Sequence, residues 1–99
     1  MPSIPPLLLL DVIDHAHAFT VLSKPNCQQC DATKRRIAKC GATYAELDLA
    51  ANPTLLDAAK TLGFQSAPVV LTSDGDIWSG YRPDRITEAA SRLGTATAA

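Results

Sequence analysis

Two cysteines separated by two residues lie between a short apolar segment and a segment with helical character, and this arrangement limits the folds open to the chain. The apolar segment spans residues 18–22, and the cysteines are Cys27 and Cys30. A C-x-x-C at a strand-to-helix turn is typical of a dithiol redox site. If Cys27 caps the helix, Cys30 lies one turn further on the same face. Their Cα atoms are then roughly 5–6 Å apart, within the range that a disulfide needs.

Length and charge exclude several classes of protein. The chain has 99 residues, the size of one domain, and a net charge of -1, which gives no electrostatic basis for binding nucleic acid or an anionic membrane. Its longest apolar run, residues 7–10, is far shorter than the roughly 20 residues that span a bilayer. No basic residue precedes that run, unlike in a signal peptide. Three cysteines, an odd number, do not form a structural disulfide framework. A transient redox pair with one spare thiol suits a reducing compartment, so we expect a cytoplasmic protein. We also expect a monomer.

The hydrophobic pattern predicts the element order β-α-β-α-β-β-α. Strands are expected at residues 18–23, 44–49, 67–72 and 77–79, and helices at residues 27–39, 53–62 and 85–93. A right-handed β-α-β unit followed by a hairpin and a helix gives a four-stranded mixed sheet flanked by three helices. The C-x-x-C then lies beyond the carboxyl end of the first strand, where α/β folds place their chemistry.

The helical segments also predict which side chains are buried. The inward face of the first helix comprises Cys30, Thr33, Ile37 and Cys40. Within this face we expect Cys40 to be a small buried hydrophobe. The apolar stripe of the second helix comprises Leu55, Leu56, Ala59 and Leu62. Asn52 is the expected N-cap of that helix, and Gly41 and Gly63 end the first two helices.

The regions outside the predicted sheet divide the chain into three parts. Residues 1–17 form an N-terminal arm, residues 18–94 the redox domain and residues 95–99 a frayed tail. The arm is either extended, an extra strand or helix turn laid on the domain, or a misassigned start. Its apolar residues indicate that at least part of it packs on something, either an exposed strand edge or a second copy of the chain.

The position of the dithiol assigns different roles to the two sulfurs. The thiolate is the form that attacks a disulfide. Cys27 at a helix N-terminus faces unpaired N–H groups and the positive end of the helix dipole, which favour S⁻. Lys24 adds positive charge nearby. We assign Cys27 as nucleophile and Cys30 as resolving thiol, and Asp31 as a first-turn charge.

A metal site is the alternative interpretation of the same cysteines. A structural zinc site needs four ligands, and the remaining candidates are Cys40, His15 and His17. Cys40 lies ten residues after Cys30, roughly 15 Å along a helix, too far to share a metal. The histidine pair has no cysteine or carboxylate cluster to complete a site. We expect no bound cofactor and a redox-active Cys27–Cys30 disulfide, with a cluster shared between two chains as the alternative.

Two further segments are informative. Pro68 begins an apolar strand after a loop, and its local sequence favours an ordinary trans proline. Residues 78–84 read W-S-G-Y-R-P-D, which places two aromatic residues beside Gly80 and Pro83. Such a segment could bind a partner, although composition alone favours Trp78 in the core.

Taken together, these segments resemble the thioredoxin superfamily and, within it, the NrdH-redoxins. The resemblance covers residues 18–93 and rests on C-Q-Q-C followed by D-A-T-K-R, on G-F shortly before A-P-V-V, and on W-S-G-Y-R-P-D. It implies a thioredoxin-like, glutaredoxin-type fold with Pro68 in cis. The Ala67 backbone would pair with a bound peptide, and residues 78–83 would form a hydrogen-bonded loop near the site. Tyr81 stands where phenylalanine is more usual in the family.

The resemblance also implies a function. Such proteins are dithiol–disulfide oxidoreductases that receive electrons from NADPH through thioredoxin reductase. They reduce the C-terminal tail of the large subunit of class Ib ribonucleotide reductase. The candidate partner-binding residues lie beside the dithiol or in the two other segments: Gln28, Gln29, Ala67, Pro68, Trp78, Ser79, Gly80, Tyr81 and Arg82.

Three alternatives stay open. Glutaredoxins that use glutathione usually carry Pro-Tyr between the cysteines and Thr-Val before the proline. Gln28-Gln29 and Ser66-Ala67 occupy these positions here and disfavour glutathione. A non-enzymatic metal or iron–sulfur carrier and a redox adaptor without turnover are the other two.

Overall fold

The computed structural model describes residues 9–93, and its elements follow the predicted order. The strands are β1 (Phe19–Ser23), β2 (Tyr44–Asp48), β3 (Val69–Thr72) and β4 (Ile77–Ser79). The helices are α1 (Gln28–Lys39), α2 (Pro53–Thr61) and α3 (Pro83–Leu93), with short 3-10 turns at Leu9–Val12 and Leu49–Ala51. The predicted β-α-β-α-β-β-α order is therefore confirmed.

The strands form one mixed sheet in the order β2-β1-β3-β4. β1 pairs in parallel with β2 and antiparallel with β3, and β3 pairs antiparallel with β4. β1 is central, and all five of its residues are buried because helices cover both faces of the sheet.

Alternation along the strands creates two hydrophobic layers. The layer under α1 and α3 contains Phe19, Val21, Ile37, Val70, Trp78, Ile86 and Ala89. The layer under α2 contains Leu9, Leu22, Leu49, Leu55, Ala58, Ala59, Val69 and Leu71. One amphipathic face from each helix thus completes a three-layer domain around the sheet.

Strand register brings three separate loops to one end of the sheet. Leu22, near the end of β1, pairs with Val69 at the start of β3. Val69 also pairs with Ser79 at the end of β4. The segments that follow β1, precede β3 and follow β4 therefore converge at that end of the sheet.

Several local predictions need correction. Leu62 is 55% exposed, although it continues the apolar stripe of α2. The chain turns at Gly63, and the backbone N–H of Phe64 donates to the Ala59 carbonyl. Phe64 packs against the layer under α2, so it supplies the contact that was expected of Leu62.

Helix ends account for the other corrections. Cys40 is half-buried rather than buried, because it lies at the C-cap of α1. Asn52 occupies the N-cap of α2, but its amide donates to the Asp48 carbonyl instead of capping the helix. α3 begins at Pro83, two residues earlier than predicted, since proline suits the first turn of a helix.

The N-terminal arm is described only from Leu9 onward. Leu9 is buried and packs in the layer under α2. The predicted tail and the first eight residues of the predicted arm lie outside the described residues. Within residues 9–93, no helix is both long and apolar enough to cross a membrane.

Charged side chains fasten α3 to the turn between β3 and β4. Arg92 donates hydrogen bonds to Asp74, at 2.8 Å, and to Glu88. Arg85 donates to both carboxylate oxygens of Asp76, each at 2.8 Å. The Arg92 guanidinium, with a further hydrogen bond from Thr72, lowers the pKa of Asp74 to about 2. The Asp74 carboxylate is therefore stabilised in the folded state.

The lowered pKa predicts a specific loss of stability in acid. The contribution of Asp74 is present above its ordinary pKa of 3.8 and is lost as the pH falls towards 2. In Asp74→Asn, the free energy of unfolding should be lower at neutral pH and should decline less between pH 4 and 2. Urea unfolding at several pH values measures this difference. Parallel declines in the two proteins would contradict it.

Candidate redox site

The turn between β1 and α1 places Cys27 at the helix N-terminus. Asn26 adopts a left-handed conformation with φ 57°, which asparagine tolerates better than most residues. Cys27 is extended and is the N-cap of α1. Its Sγ accepts a hydrogen bond of 3.1 Å from the backbone N–H of Cys30. The sulfur thus occupies the position that a serine or aspartate oxygen takes in other helix caps.

Cys27 and Cys30 form a disulfide, with their Cα atoms 5.2 Å apart. This separation agrees with the roughly 5–6 Å expected from the spacing of the two cysteines. Cys27 retains 9% exposure and Cys30 only 1%. Cys27 is therefore the more accessible of the two, while Cys30 lies on the buried face of α1.

The segment before β3 lies beside the disulfide. The Ala67–Pro68 peptide bond is cis, as the family resemblance implied. The Ala67 carbonyl oxygen is 3.9 Å from Cys27 Sγ. Pro68 is buried, whereas Ala67 is partly exposed next to the reactive sulfur.

A third segment, residues 79–82, completes the site, and we call it the Gly80 loop. The N–H of Gly80 donates to the Pro68 carbonyl at 2.8 Å. The next N–H, that of Tyr81, donates to Oε1 of Gln29 at 3.0 Å. Gly80 has φ +82°, and a Cβ at this position would lie 3.4 Å from the same Oε1. The loop is thus hydrogen-bonded to the cis-proline segment and to the C-x-x-C.

The remaining candidate residues differ in their access to a partner. Trp78 is 3% exposed and lies in the core, with the Arg85 guanidinium carbon 4.9 Å from its ring centroid. Tyr81 is exposed, and Arg82 is exposed and pairs with Asp84. The exposed residues around the dithiol include Lys24, Gln28, Gln29, Tyr81 and Arg82.

One polar network beside the site was not predicted. The Ser23 hydroxyl donates to Glu46 at 2.6 Å, and the Lys34 ammonium donates to the same oxygen at 2.9 Å. The hydrogen bond from Ser23, with that from Lys34, lowers the pKa of Glu46. The network joins the ends of β1 and β2 to the second turn of α1. Only the pairing of β1 with β2 brings these residues together, so local sequence gave no signal for it.

An apolar groove of about 190 Å³ lies beside α2 and reaches Ala67, whose carbonyl is close to Cys27. Leu49, Leu56, Phe64 and Ala67 line it, and Lys24 and Lys60 lie at its edges. Within residues 9–93 neither lysine pairs with a carboxylate. The groove therefore combines apolar walls with available positive charge.

The two histidines considered as metal ligands do not meet the dithiol. His17 Nδ1 lies 2.8 Å from the Thr43 hydroxyl, within hydrogen-bonding distance. In the described part of the chain, no group of three histidine, cysteine or acidic residues is arranged to hold a metal ion.

The sequence profile of the Glutaredoxin family matches residues 19–78, which include the dithiol, the cis-proline and Trp78. The chain belongs to the glutaredoxin family, among its NrdH-type members. It is 36% identical over 69 residues to the glutaredoxin-like protein NrdH of Salmonella typhimurium, covering 70% of this chain and 84% of that one. The NrdH protein of Lactococcus lactis subsp. cremoris is 32% identical over 71 residues, covering 72% of this chain and 97% of the relative.

A solved glutaredoxin-family structure agrees with this assignment. The NrdH-redoxin of Escherichia coli superimposes with a TM-score of 0.67 at 34% identity, covering 71% of this chain and 91% of that one. The thioredoxin-like fold and the NrdH-type assignment are both confirmed. The roles of the individual site residues stay predictions.

The close approach of Gly80 to Gln29 can be tested against a matched glycine. Gly80 and Gly75 both have positive φ, but a Cβ at Gly75 would meet nothing within 4 Å. Both alanine variants should lose about 1–2 kcal/mol of stability from backbone strain. Only Gly80→Ala should push against Gln29 and speed hydrogen exchange at the Tyr81 amide.

Urea unfolding and amide exchange followed by NMR provide the two measurements. Equal exchange rates at the Tyr81 amide in Gly80→Ala and Gly75→Ala would show that the contact with Gln29 is unimportant.

Proposed function

We propose that this protein is a dithiol–disulfide oxidoreductase that carries electrons from NADPH and thioredoxin reductase to class Ib ribonucleotide reductase. The observation that carries the proposal is the placement of Cys27. Its sulfur accepts a backbone hydrogen bond at the N-terminus of α1, and it is the more exposed member of the disulfide. The same environment favours a thiolate once the disulfide is reduced.

The first step joins the protein to its substrate. In the reduced protein, the Cys27 thiolate attacks one sulfur of the substrate disulfide. A bond forms between that sulfur and Cys27 Sγ, the substrate S–S bond breaks, and the second substrate sulfur leaves as a thiolate that takes up a proton. The positive end of α1 stabilises Cys27 before attack.

The second step releases the product. Cys30 loses its proton and attacks Cys27 Sγ, which breaks the mixed disulfide and frees the remaining substrate thiol. The substrate has then gained two electrons and two protons, and the protein holds the Cys27–Cys30 disulfide. The Cα separation of 5.2 Å places Cys30 within reach of Cys27 for this exchange. Two electrons from NADPH, delivered by the reductase, restore the dithiol.

Similarity to the NrdH proteins supports the choice of partners. The solved Escherichia coli relative is described as having a thioredoxin-like activity profile. A reductase that serves thioredoxin is consistent with that description. We propose the ribonucleotide reductase tail as the substrate and the cytoplasm as the compartment, in agreement with the C-x-x-C and W-S-G-Y-R-P-D segments of this chain.

The surface around Cys27 supports a protein substrate. An extended segment could lie along the apolar groove and approach Cys27 beside the partly exposed Ala67. Hydrogen bonds between the backbone of that segment and the backbone at Ala67 would give affinity with little dependence on side chains. Lys24 and Lys60 would attract carboxylates on the segment.

A coupled assay tests the choice of electron donor. With NADPH and thioredoxin reductase, the protein should reduce insulin and the class Ib large subunit at catalytic concentrations. With glutathione and glutathione reductase, activity should be at least about tenfold lower, because Gln28 and Gln29 replace the residues that glutaredoxins usually carry. NADPH oxidation at 340 nm reports both reactions. The reverse preference would instead assign a glutathione-dependent glutaredoxin.

Cysteine variants test the order of attack. Cys27→Ser should abolish turnover, since it removes the attacking sulfur. Cys30→Ser should still attack but should accumulate mixed disulfides, which mass spectrometry detects. Cys40→Ser is the matched control and should keep full activity, because Cys40 lies at the far end of α1. Full activity in either of the first two variants would exclude this mechanism.

A further inference from the structure

We propose that Gln29 is a positioning residue. Its side-chain oxygen holds the Gly80 loop, and through that loop the Ala67–Pro68 segment, in place beside Cys27. This inference rests on the proposed function, because it gives the Ala67–Pro68 segment the task of receiving a protein substrate. It changes the role expected of Gln29 from binding the substrate to arranging the surface that binds it.

Two consecutive N–H groups connect the three parts of the site. The Gly80 N–H donates to the Pro68 carbonyl at 2.8 Å, and the Tyr81 N–H donates to Gln29 Oε1 at 3.0 Å. Gly80 and Tyr81 are adjacent, so the loop lies between the cis-proline segment and the C-x-x-C. The Ala67 carbonyl, 3.9 Å from Cys27 Sγ, completes a closed circuit of contacts around the reactive sulfur.

The backbone of the loop at Gly80 also approaches the Gln29 side chain. A Cβ on Gly80 would lie 3.4 Å from Gln29 Oε1, at the lower limit of ordinary van der Waals contact. The positive φ of Gly80 is also a conformation that glycine adopts readily. The loop backbone is therefore shaped to meet the Gln29 oxygen.

Loss of the Gln29 oxygen should act locally. Trp78 is buried before the loop, and α3 begins at Pro83 after it, so both ends of the loop are fixed. Tyr81 is exposed, and water can replace Gln29 as partner of its N–H. The free energy of unfolding should change little, whereas the Gly80 loop should become mobile on the side that faces the dithiol.

The substrate dependence of the reaction distinguishes positioning from chemistry. A small disulfide needs only the Cys27 thiolate, whereas a protein disulfide also uses the backbone edge at Ala67. Gln29→Ala should therefore slow attack on the protein disulfide selectively. Gln28 provides the matched control for the hydrogen bond itself. It is as exposed as Gln29 within the same C-x-x-C, and in the described residues its side chain makes no hydrogen bond to the Gly80 loop.

The experiment is a single turnover of pre-reduced protein, which needs no reductase. Second-order rate constants are measured with insulin and with 2-hydroxyethyl disulfide. Gln29→Ala should lower the insulin constant about three- to tenfold, as expected for one lost hydrogen bond, and change the small-disulfide constant less than about twofold. Gln29→Glu keeps an oxygen acceptor. It should therefore restore the wild-type ratio of the rate constant for insulin to the rate constant for 2-hydroxyethyl disulfide.

Hydrogen exchange at the Tyr81 amide gives an independent structural reading. It should accelerate in Gln29→Ala and not in Gln28→Ala. Equal acceleration of Tyr81 exchange in the two alanine variants, equal losses with both disulfides in Gln29→Ala, or no rescue by Gln29→Glu would overturn the inference. A wild-type protein that reacts with the small disulfide but not with insulin would instead contradict the proposed function, and Tyr81 exchange would still test the contact.

Discussion

Val69 occupies the position on which the arrangement of the site depends. It pairs with Leu22 of β1 on one side and with Ser79 of β4 on the other. Because β3 runs antiparallel to both neighbours, its first residue lies beside the last residue of β4 and the next-to-last residue of β1. The C-x-x-C turn, the cis-proline segment and the Gly80 loop therefore meet at one end of the sheet. A shift of one residue in either pairing would move the loops apart and exchange the side chains that face the two hydrophobic layers.

The N-terminus of α1 sets the electrostatic environment of the dithiol at that end of the sheet. The Cys30 N–H that bonds Cys27 Sγ in the disulfide is one of the unpaired donors that begin every helix. It remains available to the sulfur after reduction, when negative charge needs stabilisation. Ser23, Glu46 and Lys34 hold the first turns of α1 against β1 and β2. Hydrogen bonds to the N-terminus of α1 and to the ends of β1 and β2 thus hold Cys27 and the helix that carries it in place.

Local sequence predicted the features that depend on local interactions. The apolar periodicity gave the element order, the C-x-x-C spacing gave the dithiol, and Gly41 adopts the positive φ expected after α1. Cis Pro68 came from family resemblance, since its local sequence favoured trans. Leu62 was misplaced because the burial of a residue at a helix end depends on where the following chain returns. Phe64 makes that return here.

The contacts between distant segments could not be predicted from the local sequence. The hydrogen bond from Tyr81 to Gln29 joins residues 52 positions apart in the chain. The ion pair of Lys34 with Glu46 likewise requires α1 and β2 to be placed correctly on β1. Neither contact has a signal in residue type or spacing. Both follow once the strand order and register are known, so tertiary structure determines how the dithiol is supported.

Alkylation of the reduced protein tests most directly whether the N-terminus of α1 makes Cys27 the attacking sulfur. The rate of reaction with iodoacetamide is measured from pH 4 to 10, and mass spectrometry assigns each modified cysteine, with Cys40 as internal reference. Cys27 should react first, and its rate should reach half its maximum below about pH 8.5, the value for a free cysteine. Faster modification of Cys30, or a Cys27 profile centred at or above that pH, would contradict the account.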